Sequence, residues 1–236
     1  GLVIRKGFGN LFPERFEPKA MVPEPDAHAL GYAVAGPLAL AFAQWLIDTA
    51  RRDGVERLYF LAREGQFLKL VYDRVAEATP GAPTSEYLVV SRRAVNLPAI
   101  RTLDDLCAIA QTDYGPAPLQ DFLLERFAID LDRDMARDLD VRGVWRRGRS
   151  VEVREREIDH LLPLLEALLP AVLAQGEREL PGLQAYLHRQ GLGEDRATAA
   201  VVDVGYSGTI QRRLNALLGG GMQGYYMATL EGTASM

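Results

Sequence analysis

Val201-Val202-Asp203-Val204-Gly205-Tyr206-Ser207-Gly208-Thr209-Ile210 is the stretch on which the reading of the fold turns. Residues 198–204, T-A-A-V-V-D-V, are apolar in a run broken only by the acid, the pattern of a short strand covered on both faces of a parallel sheet. Asp203 falls where that strand runs out. Gly205, Ser207, Gly208 and Thr209 make a tight turn of small and hydroxyl residues, and Ile210 to Leu218 carries a helical pattern. Strand, glycine-and-hydroxyl loop and helix N-terminus suit a phosphate, because unpaired amides and the helix dipole point at the anion. The same residues also suit a plain strand-to-helix turn in which Ser207 or Thr209 caps the helix. A carboxylate just ahead of the loop favours a sugar phosphate, whose hydroxyls need an acceptor while its phosphate needs N–H groups.

Two further segments repeat the plan. Glu56 to Ala62 is an apolar strand that ends in Arg63-Glu64-Gly65, and Gln66 to Val75 follows in helical register. After the break Thr79-Pro80-Gly81-Ala82-Pro83, Glu86 to Val90 reads as a strand running into Ser91-Arg92-Arg93, where paired arginines suit an anion clamp or a solvated edge. A last strand is expected over 224–230, behind Gly219-Gly220-Gly221. Strands alternating with helices imply an α/β fold with a doubly wound, mostly parallel sheet. Ligands then bind at the carboxyl ends of the strands, where all three polar exits would lie.

The remainder is read as support for that sheet. Residues 1–26, with Phe8, Phe12 and Phe16 among glycines and prolines, form an expected N-terminal arm; 27–236 form the α/β domain. Leu30, Val34, Leu38, Phe42, Trp45, Leu46 and Thr49 space one apolar helical face, restarted or kinked at Pro37. Residues from about 102 to 190 are expected to be a helical insertion or cap, with helices at Leu103 to Ile109, Leu119 to Phe127, Glu155 to Gln175 and Glu177 to Gln190. Within it, Asp130, Asp132 and Asp134 lack the glycine and glutamate of a calcium loop and read as a solvated helix start. The arginines around Trp145 read as a charged surface loop.

With 236 residues, 48% hydrophobic and 25% charged, the chain has the composition of a packed globular protein. A net charge of -5 provides no overall basic field for nucleic acid. The lone Cys107 and the scattered His28, His160 and His188 make neither a disulfide nor a zinc motif, which suits a reducing cytoplasm. The longest apolar run, Ala33 to Ile47, holds Gly36, Pro37 and Gln44 and is short for a transmembrane segment. Starting at Gly1 with no visible signal peptide, the chain is expected to carry a tag remnant or to come from a longer protein.

Leu58 to Phe67, Val90 to Ala94 and Val202 to Thr209 closely resemble the C-terminal half of bacterial polysaccharide-biosynthesis proteins labelled haloacid-dehalogenase-type hydrolases, over most of residues 28–230. A phosphatase of that class needs a strand ending in Asp-x-Asp, and the strand here ends in Ala62-Arg63-Glu64-Gly65. The same segments look more like a type I phosphoribosyltransferase. Asp203 with Gly205-Tyr206-Ser207-Gly208-Thr209 matches that family's ribose 5-phosphate loop, and Arg63-Glu64-Gly65 its pyrophosphate loop. The family usually has two adjacent acids, whereas Val202 precedes Asp203 here, and the loop is shorter.

The resemblance implies a ribofuranosyltransferase that moves ribose 5-phosphate from phosphoribosyl pyrophosphate to a glycan, lipid-linked or free, in surface polysaccharide synthesis. Pyrophosphate is released. It implies Asp203, Glu64 and Arg63 as catalytic residues, Ser91, Arg92 and Arg93 beside the pyrophosphate, and Mg²⁺ carried by the donor's diphosphate. It also implies a separate or fused phosphatase, other glycosyltransferase domains, and a location in the cytoplasm or at the inner face of the membrane. The alternatives are a phosphatase using the same cradle and a non-catalytic sugar-phosphate-binding module.

Overall fold

The structure is a computed structural model that describes residues 27–146, 148–193, 198–205 and 207–229. The expected arm at 1–26 and Tyr206 lie outside the described residues. The chain divides into two units, Gly1–Phe42 and Ala43–Met236. The described part of the first unit is helical: Ala27–Leu30, a π-helical turn Gly31–Ala35, and the start of α1, Gly36–Arg52. Pro37 is the second residue of α1, where a missing N–H costs nothing, so the helix restarts there. Against the short apolar run read from the sequence, Ala27–Arg52 is one 26-residue helical segment of mean hydropathy 1.5, long and apolar enough by length and composition to cross a membrane. Core helices of globular proteins pass the same test, and within the second unit Ala43, Leu46, Ile47 and Ala50 are buried.

Four strands of the second unit form a parallel sheet: β1 Arg57–Leu61, β2 Thr84–Leu88, β5 Ala199–Asp203 and β6 Gln223–Tyr226. Their order is β2-β1-β5-β6. Arg57 pairs with Thr84 on one side and Ala199 on the other, and Asp203 pairs with Tyr226. Leu58 to Leu61 and Ala199 to Val202 are all buried, because β1 and β5 are central and both of their faces are covered. One face, with Tyr59, Leu61, Ala199 and Val201, packs against Val95, Leu187 and Leu214. On the other, Phe60 packs at a tilt against Tyr72 of α2 (Gly65–Ala76), with ring centres 5.3 Å apart, and Tyr225 meets Trp45 of α1 edge-on. Helices thus cover both faces.

From β1 the chain passes through α2 to β2; from β5 it passes through α8 (Thr209–Leu218) to β6 on the other side. Strand order therefore reverses between β1 and β5, and the crevice of a doubly wound sheet opens there.

Tyr72 shows what this burial does to a polar group. Its hydroxyl donates to the Pro83 carbonyl at 2.7 Å, and burial, with the Asp73 charge second, pushes its pKa from 10.0 up to about 12. A raised pKa means that the fold prefers the neutral phenol. That stabilisation is complete below pH 10 and is lost as pH climbs through about 12. Urea unfolding at pH 8, 10 and 11.5 should show stability falling over the upper interval, with a smaller fall in Tyr72→Phe.

Between β2 and β5 lie α3 (Arg92–Asn96), a 3-10 turn Leu97–Ala99, α4 (Leu103–Ala110), β3 (Tyr114–Pro118), α5 (Leu119–Phe127), α6 (Arg133–Val141), β4 (Ser150–Val153) and α7 (Leu162–Arg189). The expected all-helical insertion is corrected: β3 and β4 pair antiparallel as a separate two-stranded sheet. Tyr114 to Pro118 falls between two of the expected helices, and its two prolines argue against a strand. Each strand of a two-stranded sheet is an edge, however, so a proline can turn its missing N–H outward. The two helices expected around Gly176 are one, 28 residues long, with Pro170 and Pro181 inside it. Gly176 serves contact rather than a break, since a Cβ there would lie 2.8 Å from the Leu97 carbonyl oxygen.

Arg142, Arg146 and Arg149 are exposed, as a charged surface loop requires, but Trp145 among them is not. It is buried with Phe122, Phe127, Val151 and Leu165 in a core belonging to this insertion, and Arg149 covers its ring at 5.3 Å. Asp132 caps α6, accepting from the Met135 amide at 2.8 Å, so the aspartate series does mark a helix start.

Candidate functional site

At the reversal point the three polar strand exits line one cleft of about 730 Å³. Ala62, Arg63 and Glu64 come from the end of β1, and Val89, Val90, Ser91, Arg92 and Ala94 from the end of β2. Asp203 to Gly205 and Ser207 to Ile210 come from the end of β5. Parallel strands all present their carboxyl ends at one edge, so residues over a hundred positions apart converge without long loops.

The β5 exit is built as an open cradle. Asp203 Oδ1 accepts from the Gly205 amide at 3.0 Å, and a Cβ at Gly205 would lie 2.7 Å from the other carboxylate oxygen, so glycine lets the acid lie over the loop without shifting. Gly208 stands at the N-cap of α8 with φ 60°, a left-handed conformation natural to glycine, and contributes no side-chain cap. The hydroxyls of Ser207 and Thr209 bond each other at 3.0 Å instead of capping the helix. The plain capped turn is therefore not what forms; the first turn of α8 keeps its positive end facing the cleft, where an anion is stabilised. Arg212, which the sequence reading passed over, donates to the Ser207 carbonyl at 3.3 Å and so holds a cation against the loop. Its signal was its place four residues after Gly208, one turn above the loop.

The β1 exit is set by Gly65, the buried first residue of α2, which rests on Phe60: a Cβ would come within 2.9 Å of the Phe60 carbonyl carbon. Gly65 therefore shapes the loop without lining the cleft. The Ala62–Arg63 peptide bond is cis. Arg63 and Glu64 are exposed and pair with each other at 3.4 Å. Hydrogen bonding at its own backbone amide, with help from Arg63, holds the Glu64 carboxyl below its usual range, so it is a weak base.

At the β2 exit the structure separates residues that the sequence presents together. Ser91 is the N-cap of α3, accepting from the Ala94 amide at 3.2 Å. Arg93 turns away to Glu179 of α7 at 3.0 Å, where Gln175 also donates to Glu179. It is a strut between helices, which corrects its placement beside the pyrophosphate. Arg92 lines the cleft and has neither an ion pair nor a hydrogen bond among the described residues.

Tyr226 was also missed. Paired with Asp203 across β5 and β6, its hydroxyl is pushed up to about 12 by burial and then by the Asp203 charge. No known protein-family model matches the chain, and no curated protein matches it.

Proposed function

We propose that this cleft transfers ribofuranose 5-phosphate from phosphoribosyl pyrophosphate to a glycan hydroxyl, on a phosphoribosyltransferase-like domain. The observation that carries the reading is the convergence of an acid, an uncapped helix N-terminus and free or exposed arginines on one cleft at the sheet's reversal point. Its 730 Å³ lies within the range of sites for ligands of this size. The amides around Gly208 to Ile210 and the Ser207 and Thr209 hydroxyls hold the 5-phosphate. Asp203 accepts from the ribose hydroxyls and faces the positive charge that develops at C1. Arg63 and Arg92 hold the pyrophosphate as it departs.

The acceptor oxygen bonds C1 as the C1–O bond to pyrophosphate breaks. Glu64 is a poor proton acceptor, so the acceptor's proton goes to the leaving pyrophosphate. Asp203 and Glu64 supply hard oxygen ligands that fit a Mg²⁺ held mainly by the donor's diphosphate, and when bound the ion offsets the charge on that group. A phosphatase elsewhere would then remove the 5-phosphate from the product.

One observation favours a second reading, a non-catalytic sugar-phosphate module: Asp203 is already bonded to Gly205, and Arg63 to Glu64. Release of pyrophosphate from the donor in the presence of acceptor glycans decides between the two. Transfer predicts glycan-dependent release; the module predicts donor binding with none. In the same assay Arg92→Ala should raise the donor KM by about tenfold or more, as expected for a lost charge-assisted contact. Arg93→Ala should lower Tm and leave KM unchanged.

A further inference from the structure

We infer that Tyr226 is a positioning residue for the phosphate cradle, acting through Gln211 to hold the first turn of α8 against the Asp203 edge. The inference rests on the sugar-phosphate reading of the cleft and adds a determinant of donor affinity that does not touch the donor.

Gln211 is the third residue of α8, in the turn whose amides face the cleft. Both ends of its carboxamide are committed. Oε1 accepts from the Tyr226 hydroxyl at 2.6 Å, and Nε2 donates to the Met222 carbonyl at 3.0 Å. A carboxamide held at both ends has one orientation, and the helical turn that bears it is fixed with it. Gly224 makes this possible, because a Cβ there would overlap the Gln211 carboxamide and lie 2.7 Å from Tyr226 Cε2. Tyr226 is itself located by the register that sets it opposite Asp203, and by the Met227 amide, which donates to the Asp203 carbonyl at 3.3 Å. The two halves of the site, the acid and the helix turn, are thus referred to the same residue. With its hydroxyl pushed up to about 12, Tyr226 remains a proton donor to Gln211 throughout the neutral range.

Asn215, one turn further along α8, offers an internal comparison. It makes a reciprocal pair with Met222, donating to its carbonyl at 3.0 Å and accepting from its amide at 3.1 Å. It anchors the same loop but lies away from the cradle.

The test uses the full chain, ribose 5-phosphate as the binding probe in calorimetry, and phosphoribosyl pyrophosphate in the pyrophosphate-release assay. Tyr226→Phe removes only the hydroxyl. It should weaken ribose 5-phosphate binding and raise the donor KM by about tenfold, the weight of one hydrogen bond, with kcat within twofold and little change in Tm. Asn215→Ala should lower Tm and leave ribose 5-phosphate affinity unchanged. Wild-type affinity in Tyr226→Phe, or an equal loss in Asn215→Ala, overturns the positioning role alone. Failure of the wild-type protein to bind ribose 5-phosphate overturns the proposed function together with it.

Discussion

Asp203→Asn is expected to cut glycan-dependent pyrophosphate release by about 100-fold or more while donor binding persists, because it removes one charge and almost no volume. Asparagine keeps an oxygen that can accept from the Gly205 amide, so the loop beneath the cradle retains its hydrogen bond. What disappears is the negative charge at the end of β5. In the ground state that charge accepts from ribose hydroxyls, a contact an amide oxygen partly replaces. In the transition state it faces a sugar ring turning cationic, and an amide has no charge to offer. The loss should therefore fall on kcat more than on the donor KM. An independent reading of the same change lies in Tyr226, whose ionisation Asp203 opposes. Its titration, followed by NMR, should move down from about 12 in the variant. Undiminished turnover with that downward shift present would mean that the charge was removed and the chemistry did not need it.

Gly65→Ala should cost about 1–3 kcal/mol of stability, visible as a Tm lower by several degrees, and reduce turnover as well. The new methyl would sit 2.9 Å from the carbonyl carbon of Phe60, 3.2 Å from its Cβ and 3.3 Å from its carbonyl oxygen. Phe60 is fully buried in the middle of the sheet, between two hydrogen-bonded neighbours, so neither backbone nor Cβ can yield. Relief must come from α2 and from the Arg63-Glu64 loop, which forms one side of the cleft. Gly115→Ala is the matched control, since nothing lies within 4 Å of a Cβ there. A Gly65→Ala protein with wild-type Tm would show that the contact between α2 and β1 is looser than its geometry.

How much of this was legible follows from how local each cause is. Leu58 to Leu61 and Val201-Val202 announced central strands because burial on both faces leaves a continuous apolar run. The edge strand β2 was read two residues late, at 86–90 rather than Thr84–Leu88, because an edge buries only part of its side chains. Proline and glycine misled at Pro116, Pro118 and Gly176. Their local preferences are worth a few kcal/mol at most, and packing of the insertion's own core outweighs them. The convergence of the three strand exits was legible because parallel topology alone brings carboxyl ends together. The division of labour between Arg92 and Arg93 was not, since it depends on Glu179, 86 positions away.

Asp203, its glycine-rich loop and the helix that follows were determined by the sequence itself, because strand, turn and helix start are written in consecutive residues whose preferences agree. Only the tertiary structure decided that Gly208 leaves α8 uncapped, that Arg92 faces the cleft while Arg93 braces α7, and that Tyr226 stands beside Asp203. The reason is physical: a hydrogen bond or ion pair is settled by which side chains the sheet order brings within about 3 Å, and strand order lies outside the reach of local periodicity.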